Sequence, residues 1–282
     1  MTLRAALLLA TALAAAPLHA AVDLDALWDF ARPDASEQRF RAALARAAGD
    51  DALVLRTQIA RTHSLRGQFD AARGELDAIE PLLAGAGAAP RVHAWLERGR
   101  TLRSAGRAAD AEPLFQRAFD LADRERLEFL AADALHMLAL VQATPEAQIT
   151  LNRRLVAYAQ NAQDPRARRW DAAALNNIGV TLNQAGRHAE ALPVLREALA
   201  AYQRADRPRN VLLARWMVAH TLRRLGQLDE ALAMQRALEA DWAASGGADP
   251  HVFDEIAEIH AARGDVDRAA YYRALAVRSR TP

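Results

Sequence analysis

Small and apolar positions recur along this chain with a period near 40 residues, within the range that marks stacked repeats. Seven residues before Gly67, Gly106, Glu146, Gly186, Gly226 and Gly264 stand Ala60, Gly99, Ala139, Gly179, Ala219 and Ala257, all of them small. One step earlier stand Ile59, Arg98, Leu138, Ile178, Val218 and Ile256, apolar except for Arg98. Five residues after each anchor come Ala72, Ala111, Leu151, Ala191, Ala231 and Ala269, and four further on Leu76, Phe115, Leu155, Leu195, Gln235 and Arg273. Positions four apart share one helix face, so each unit reads as a helix, a turn and a second helix. The small column marks the crossing of the two helices. The glycine suits a turn that needs the left-handed backbone region.

Six such units are predicted over residues 51–282. In the third, Pro145-Glu146 replaces the glycine and starts the second helix differently. Asp164-Pro165 and Asp249-Pro250 set a capping carboxylate before a first-turn proline, and Pro90 and Pro208 punctuate two other junctions. No segment reads as a strand. Ahead of the units, residues 21–50 predict a shorter helical pair split at Pro33-Asp34, an N-terminal cap built on Trp28, Phe30 and Phe40. Nothing follows the sixth unit to cover its last apolar face, so Tyr271, Tyr272 and Leu275 are candidates for self-association through the C-terminal repeat, with fraying as the alternative.

Residues 1–20 read as an export signal. Arg4 forms a basic start, Ala5 to Ala16 are uncharged and rich in Ala and Leu, Pro17 breaks the run, and Ala20 supplies the small residue before cleavage. The alternative is a first apolar helix of the array. The run is too short to span a bilayer, which takes about 20 apolar residues, so no stable membrane insertion is expected. Export without an anchor points to a bacterial periplasm or to secretion.

Charge alters this picture little. The 36 basic residues, every one an arginine, balance 35 acidic ones, so bulk electrostatics points to no nucleic-acid partner. With no cysteine in the chain, disulfides and thiolate metal sites are excluded.

The repeat pattern resembles the tetratricopeptide repeat family. Trp95, Gly99, Leu102, Gly106, Ala111, Phe115 and Ala118 fall where that family places its large, small and aromatic packing residues. The fourth unit, Leu175 through Gly179 and Gly186 to Pro193, is similar to the longer-period repeats of kinesin light chains. The resemblance implies an all-α, right-handed solenoid whose first helices line a concave groove for a peptide or partner helix. Arg98, Gln235 and Arg273 depart from it by standing at apolar positions.

On that register the candidate groove residues are Arg61, Arg100, Arg103, His136, Met137, Asn177, Trp216, Met217, His220 and Glu258. Arginines gather at the first units, apolar groups in the middle and Asp254, Glu255 and Glu258 at the end. A peptide would accordingly set acidic groups on Arg61 and Arg100 and an apolar anchor near Trp216, with Asn177 bonding its backbone. The alternative makes these residues solvated or inter-repeat packing positions.

Catalytic patterns are absent from the sequence. His63, His93, His136, His188, His220, His251 and His260 are dispersed over different units, without a metal-type pair, and no cofactor is expected. Ala84-Gly85-Ala86-Gly87 lacks the lysine of a phosphate-binding loop and reads as a flexible linker. Arg166, Arg168, Arg169 and Trp170 form the one basic-aromatic cluster, expected on a solvated helical face. The expected function is an exported, non-enzymatic adaptor or scaffold. The alternative is a sensor in which a small molecule or signalling peptide in the same groove changes superhelical pitch.

Overall fold

A computed structural model describes residues 22–280, so the export segment at residues 1–20 lies outside the described residues. Six helical hairpins follow one another: α3 (Gly49–Leu65) with α4 (Phe69–Ile79), α5 (Ala88–Ser104) with α6 (Ala108–Arg124), and α7 (Glu128–Leu140) with α8 (Pro145–Asn161). Then come α10 (Trp170–Gln184) with α11 (His188–Arg204), α12 (Pro208–Arg224) with α13 (Leu228–Ala244), and α14 (Pro250–Ala262) with α15 (Val266–Arg280). A one-turn helix α9 (Pro165–Arg168) precedes α10, and α1 (Leu24–Leu27) and α2 (Pro33–Leu44) precede the array. Among the described residues there is no strand. The fold is a right-handed α-solenoid, each hairpin packed on its neighbours.

The turns work as their chemistry demands. At Gly106, φ is +80° and the Arg107 amide reaches back to the Leu102 carbonyl at 2.9 Å, closing the end of α5. The third unit, lacking the glycine, starts α8 with Pro145, and the Thr144 hydroxyl accepts from the Ala147 amide at 3.3 Å. Asp164 and Asp249 accept first-turn amides at 2.8 and 2.9 Å. Two junctions between hairpins place non-glycine residues, Arg126 and Asp206, in the left-handed region, which no pattern in the chain announced.

The small column is a contact surface. A Cβ added at Gly99 would stand 2.5 Å from the Phe115 ring, and one added at Gly179 would stand 2.4 Å from Leu195. Helix propensity favours alanine over glycine by about 1 kcal/mol, but overpacking a close-packed core costs about 1–3 kcal/mol. Gly99→Ala is therefore expected to lower stability by about 1 kcal/mol, and Phe115→Leu in the same chain to restore it. A urea midpoint unchanged by Gly99→Ala would contradict the close crossing.

Several expectations need correction. The Ala84–Gly87 run is no free linker: a 3₁₀ turn, Glu80–Gly85, buries Leu83, and the Gly87 amide donates to the Asp50 carboxylate at 3.1 Å. Tyr272, expected at an outer face, is 4% exposed and packs on Phe253 and His260, because the last hairpin buries Tyr272 where earlier units bury the next position. Tyr271 remains outside at 57% exposure. Arg273 escapes burial by pairing with Glu258 at 3.1 Å, whereas Gln235 is fully buried and its side-chain amide has no protein partner.

The cap is one turn and one helix. Phe40 is fully buried against Leu55 and Ile59. The Ser36 hydroxyl accepts from the Asp29 amide at 2.7 Å and donates to its carbonyl at 3.0 Å. That clamp holds the intervening bend, so Trp28 and Phe30 stack in parallel, 4.5 Å apart, toward the inside of the array.

Candidate functional site

First helices of successive hairpins are joined by side chains one repeat apart. Trp28 Nε1 donates to Gln58 Oε1 at 3.1 Å, and the Gln58 amide nitrogen faces His93 Nδ1 at 3.3 Å. Arg61 lies 3.5 Å from Glu97, and Arg100 bonds both Glu97 and Asp133. Asn177 Nδ2 stands 3.4 Å from His136 Nδ1. Farther on, His220 and Arg223 both hold Glu255, the former at 3.1 Å. These rungs stitch the units together along their inner side.

Electrostatics follows from that burial. Burial alone would raise the Asp133 carboxyl, but Arg100 and Arg61 hold it below its ordinary value. Glu255 behaves alike, its burial overcome by hydrogen bonds from His220 and Arg223. Burial pushes His93 and His136 each down to about 4 against the pull of Asp133, helped by the nearby guanidinium of Arg100. Both rings are neutral at pH 7. With an amide nitrogen facing each Nδ1, that atom accepts the bond and the proton sits on Nε2.

The structure places the expected groove residues unequally. Arg61 and Arg100 are taken up by Glu97 and Asp133, and Arg61 also lies over the Trp28 and Phe30 rings at 5.4 and 5.2 Å. The role foreseen for them, holding acidic groups of a ligand, is filled from within the chain. Met137 is 5% exposed and belongs to the core rather than the groove. Met217 is half-buried against the core. Glu258 is turned to Arg273. Trp216 is half-buried, stacked on His220 at 5.2 Å, with its indole N–H donating to the His251 carbonyl at 3.2 Å. Arg103 is exposed and without an ion pair among the described residues. His136 and Asn177 meet each other, and the His136 ring lies 4.9 Å from Trp170.

That contact leads to what sequence reasoning missed. Trp170, Ala173, Asn177 and Val180 lie on one face of α10, so the inner surface runs further toward the helix start than the groove columns reached. There a cavity of about 510 Å³ opens between the cap and the third to fifth hairpins. Its aromatic walls are Trp28 and Phe30 on one side and Phe129, Trp170 and Tyr202 on the other. Arg166, Arg169 and Arg207 line it against a single acidic residue, Asp25. Arg166 is held by Asp164 at 3.0 Å and lies 4.8 Å over Phe129. The guanidinium groups of Arg169 and Arg207 have no hydrogen bond or ion pair among the described residues, and both residues are exposed. Of the basic-aromatic cluster expected on a solvated face, Arg166, Arg169 and Trp170 thus line a cavity, whereas Arg168 is exposed and donates to the Ala162 carbonyl at 2.8 Å.

A second hollow, between the ends of α6 and α8, sets Asp123 and Glu128 against Arg126 and Arg154 and has no charge bias. Among the described residues no group of three or more metal-type ligands is gathered. Among those residues no helix is long and apolar enough to cross a membrane.

Comparison with known proteins places this geometry. The tetratricopeptide repeat family model matches residues 170–241. No curated protein matches the sequence. Among solved structures, the apo form of RapI is similar with a TM-score of 0.72 at 9% identity, over 88% of this chain and 73% of that one. A Rap protein complexed with competence and sporulation factor is similar at 0.59 and 16% identity, over 91% and 73%. A Podosopora anserina protein described as a kinesin light chain, with nearly identical repeats, is similar at 0.56 and 17% identity, over 71% of this chain and 99% of that one. At these identities the likeness is one of fold.

Proposed function

Since residues 170–241 match the tetratricopeptide repeat family model and the array shares the fold of such proteins, we propose that this chain is an exported interaction module that binds a peptide or partner segment along its inner face and has no chemistry of its own. The observation that carries this reading is the open, aromatic-walled cavity on the inner side, in an array whose other inner-face charges are largely satisfied internally. The Rap protein complexed with competence and sporulation factor supports it by likeness of fold. Export rests on the N-terminal segment alone, and cleavage after Ala20 would be seen as the mass of the protein recovered from the periplasm.

A photo-crosslinking side chain tests the surface. Placed at Ala173, inside the cavity, it is expected to capture one partner in cells; placed at exposed Ala240 on α13, it is expected to capture none. Equal capture at both positions, or none at Ala173, would overturn the inner-face reading. Turnover of a substrate by the purified chain would overturn the non-enzymatic one.

A further inference from the structure

The cavity draws its two aromatic walls from segments far apart in sequence, the cap on one side and the third and fourth hairpins on the other. Trp28 and Phe30 present a flat stacked pair, 4° from parallel, and Phe30 is left 58% exposed. Across from them stand Phe129 and Trp170, whose rings lie 6.4 Å apart, and Tyr202. A volume of about 510 Å³ suits one aromatic group with a short flanking chain, within the usual range for ligand pockets. Polar recognition is one-sided. Arg169 and Arg207 offer two free guanidinium forks, the geometry that takes a carboxylate in paired hydrogen bonds.

We propose that this cavity binds an aromatic carboxylate, its ring between the cap wall of Trp28 and Phe30 and the wall of Phe129 and Trp170, and its carboxylate on Arg169 and Arg207. The inference rests on the inner-face reading above and names the chemistry recognised there. Two sources carry that chemistry: the C-terminal aromatic residue of a peptide, and a small free aromatic acid. Because the cap supplies half of the ring contacts, the ligand bridges the cap to the third and fourth hairpins.

The test is calorimetric titration of the full mature chain with N-acetyl-L-tryptophan and with the acetylated pentapeptide Ala-Ala-Ala-Ala-Trp, each as free acid and as amide. At least one acid is expected to bind, and its amide to bind at least tenfold more weakly. Tighter binding of the pentapeptide identifies a peptide terminus as the source; tighter binding of the amino-acid derivative identifies a small acid. Arg169→Gln with Arg207→Gln is expected to weaken the acid at least tenfold. Phe30→Ala, in a different part of the chain, should weaken it several-fold. All three residues are exposed, so the variants should keep the melting temperature of the parent, and that measurement accompanies each titration. Failure of both acids to bind, equal binding of acid and amide, or parental affinity in the double arginine variant would overturn the proposal. If a partner is still captured at Ala173 while neither acid binds, the inner-face reading stands and this inference alone falls.

Discussion

Replacing Arg100 by alanine is expected to cost the fold about 3–5 kcal/mol, the usual result of removing one partner from a buried ion pair. Arg100 is the hub between the second and third hairpins, 14% exposed, bonded to Glu97 within its own helix and to both oxygens of Asp133 in the next. Without it, Asp133 loses its main counter-charge and Glu97, 1% exposed, keeps only Arg61 at 3.5 Å. One oxygen of Glu97 already has no protein partner. The contrast is Arg98, on the outer side, whose partners Asp77 and Glu80 are each 57% exposed. Arg98→Ala should cost about 0–1 kcal/mol. Because a repeat array can open locally, hydrogen exchange of α5 and α7 is the direct measurement alongside the urea midpoint. A loss at Arg100 no larger than that at Arg98 would show that the inner rungs do not couple the units.

Acid is expected to weaken the array well before its carboxylates titrate. His93 and His136 are held neutral down to about 4, against an ordinary value of 6.5. In the unfolded chain each takes up a proton near pH 6.5; in the folded chain neither does until about pH 4. The unfolded state therefore binds more protons across that window, and stability falls as pH drops from about 6.5 to about 4. Each histidine is worth on the order of 3 kcal/mol over the whole window. Below it, Asp133 and Glu255, whose values are depressed, add their own loss as they are protonated. The structural cause is specific at His93. Protonation turns Nδ1 into a donor facing the Gln58 amide nitrogen, and Gln58 cannot flip without losing the bond from the Trp28 indole. Urea midpoints at pH 7 and pH 4.5 measure the effect, and His93→Asn with His136→Asn should flatten the slope. Equal midpoints at the two pH values in the parent chain would refute the burial of these rings.

Much of the fold was legible because its causes are local. A left-handed turn at Gly106 needs only the residue itself, and the Gly99–Phe115 crossing needs only two positions of one hairpin. Capping by Asp164 and Asp249 is likewise a matter of neighbouring residues. The site was less legible. Arg61 and Arg100 read as ligand groups because the view of a single unit does not show the next one, from which Glu97 reaches Arg61 and Asp133 reaches Arg100. Met137 sits one position from His136, and the rotation of its helix decides that one enters the core and the other meets Trp170 and Asn177 of the next hairpin.

By itself, then, the sequence determined the repeat, the hairpin, the turn chemistry and the helix faces, since each depends on residues within one period. Only the tertiary structure decided which inner-face charges remain free and which groups share a cavity. Stacking brings Asp133 to Arg100 across one repeat. The accumulated curl of successive hairpins brings Trp28 and Phe30 opposite Trp170 and Tyr202, a meeting set by the sum of small rotations between units rather than by any position in the pattern.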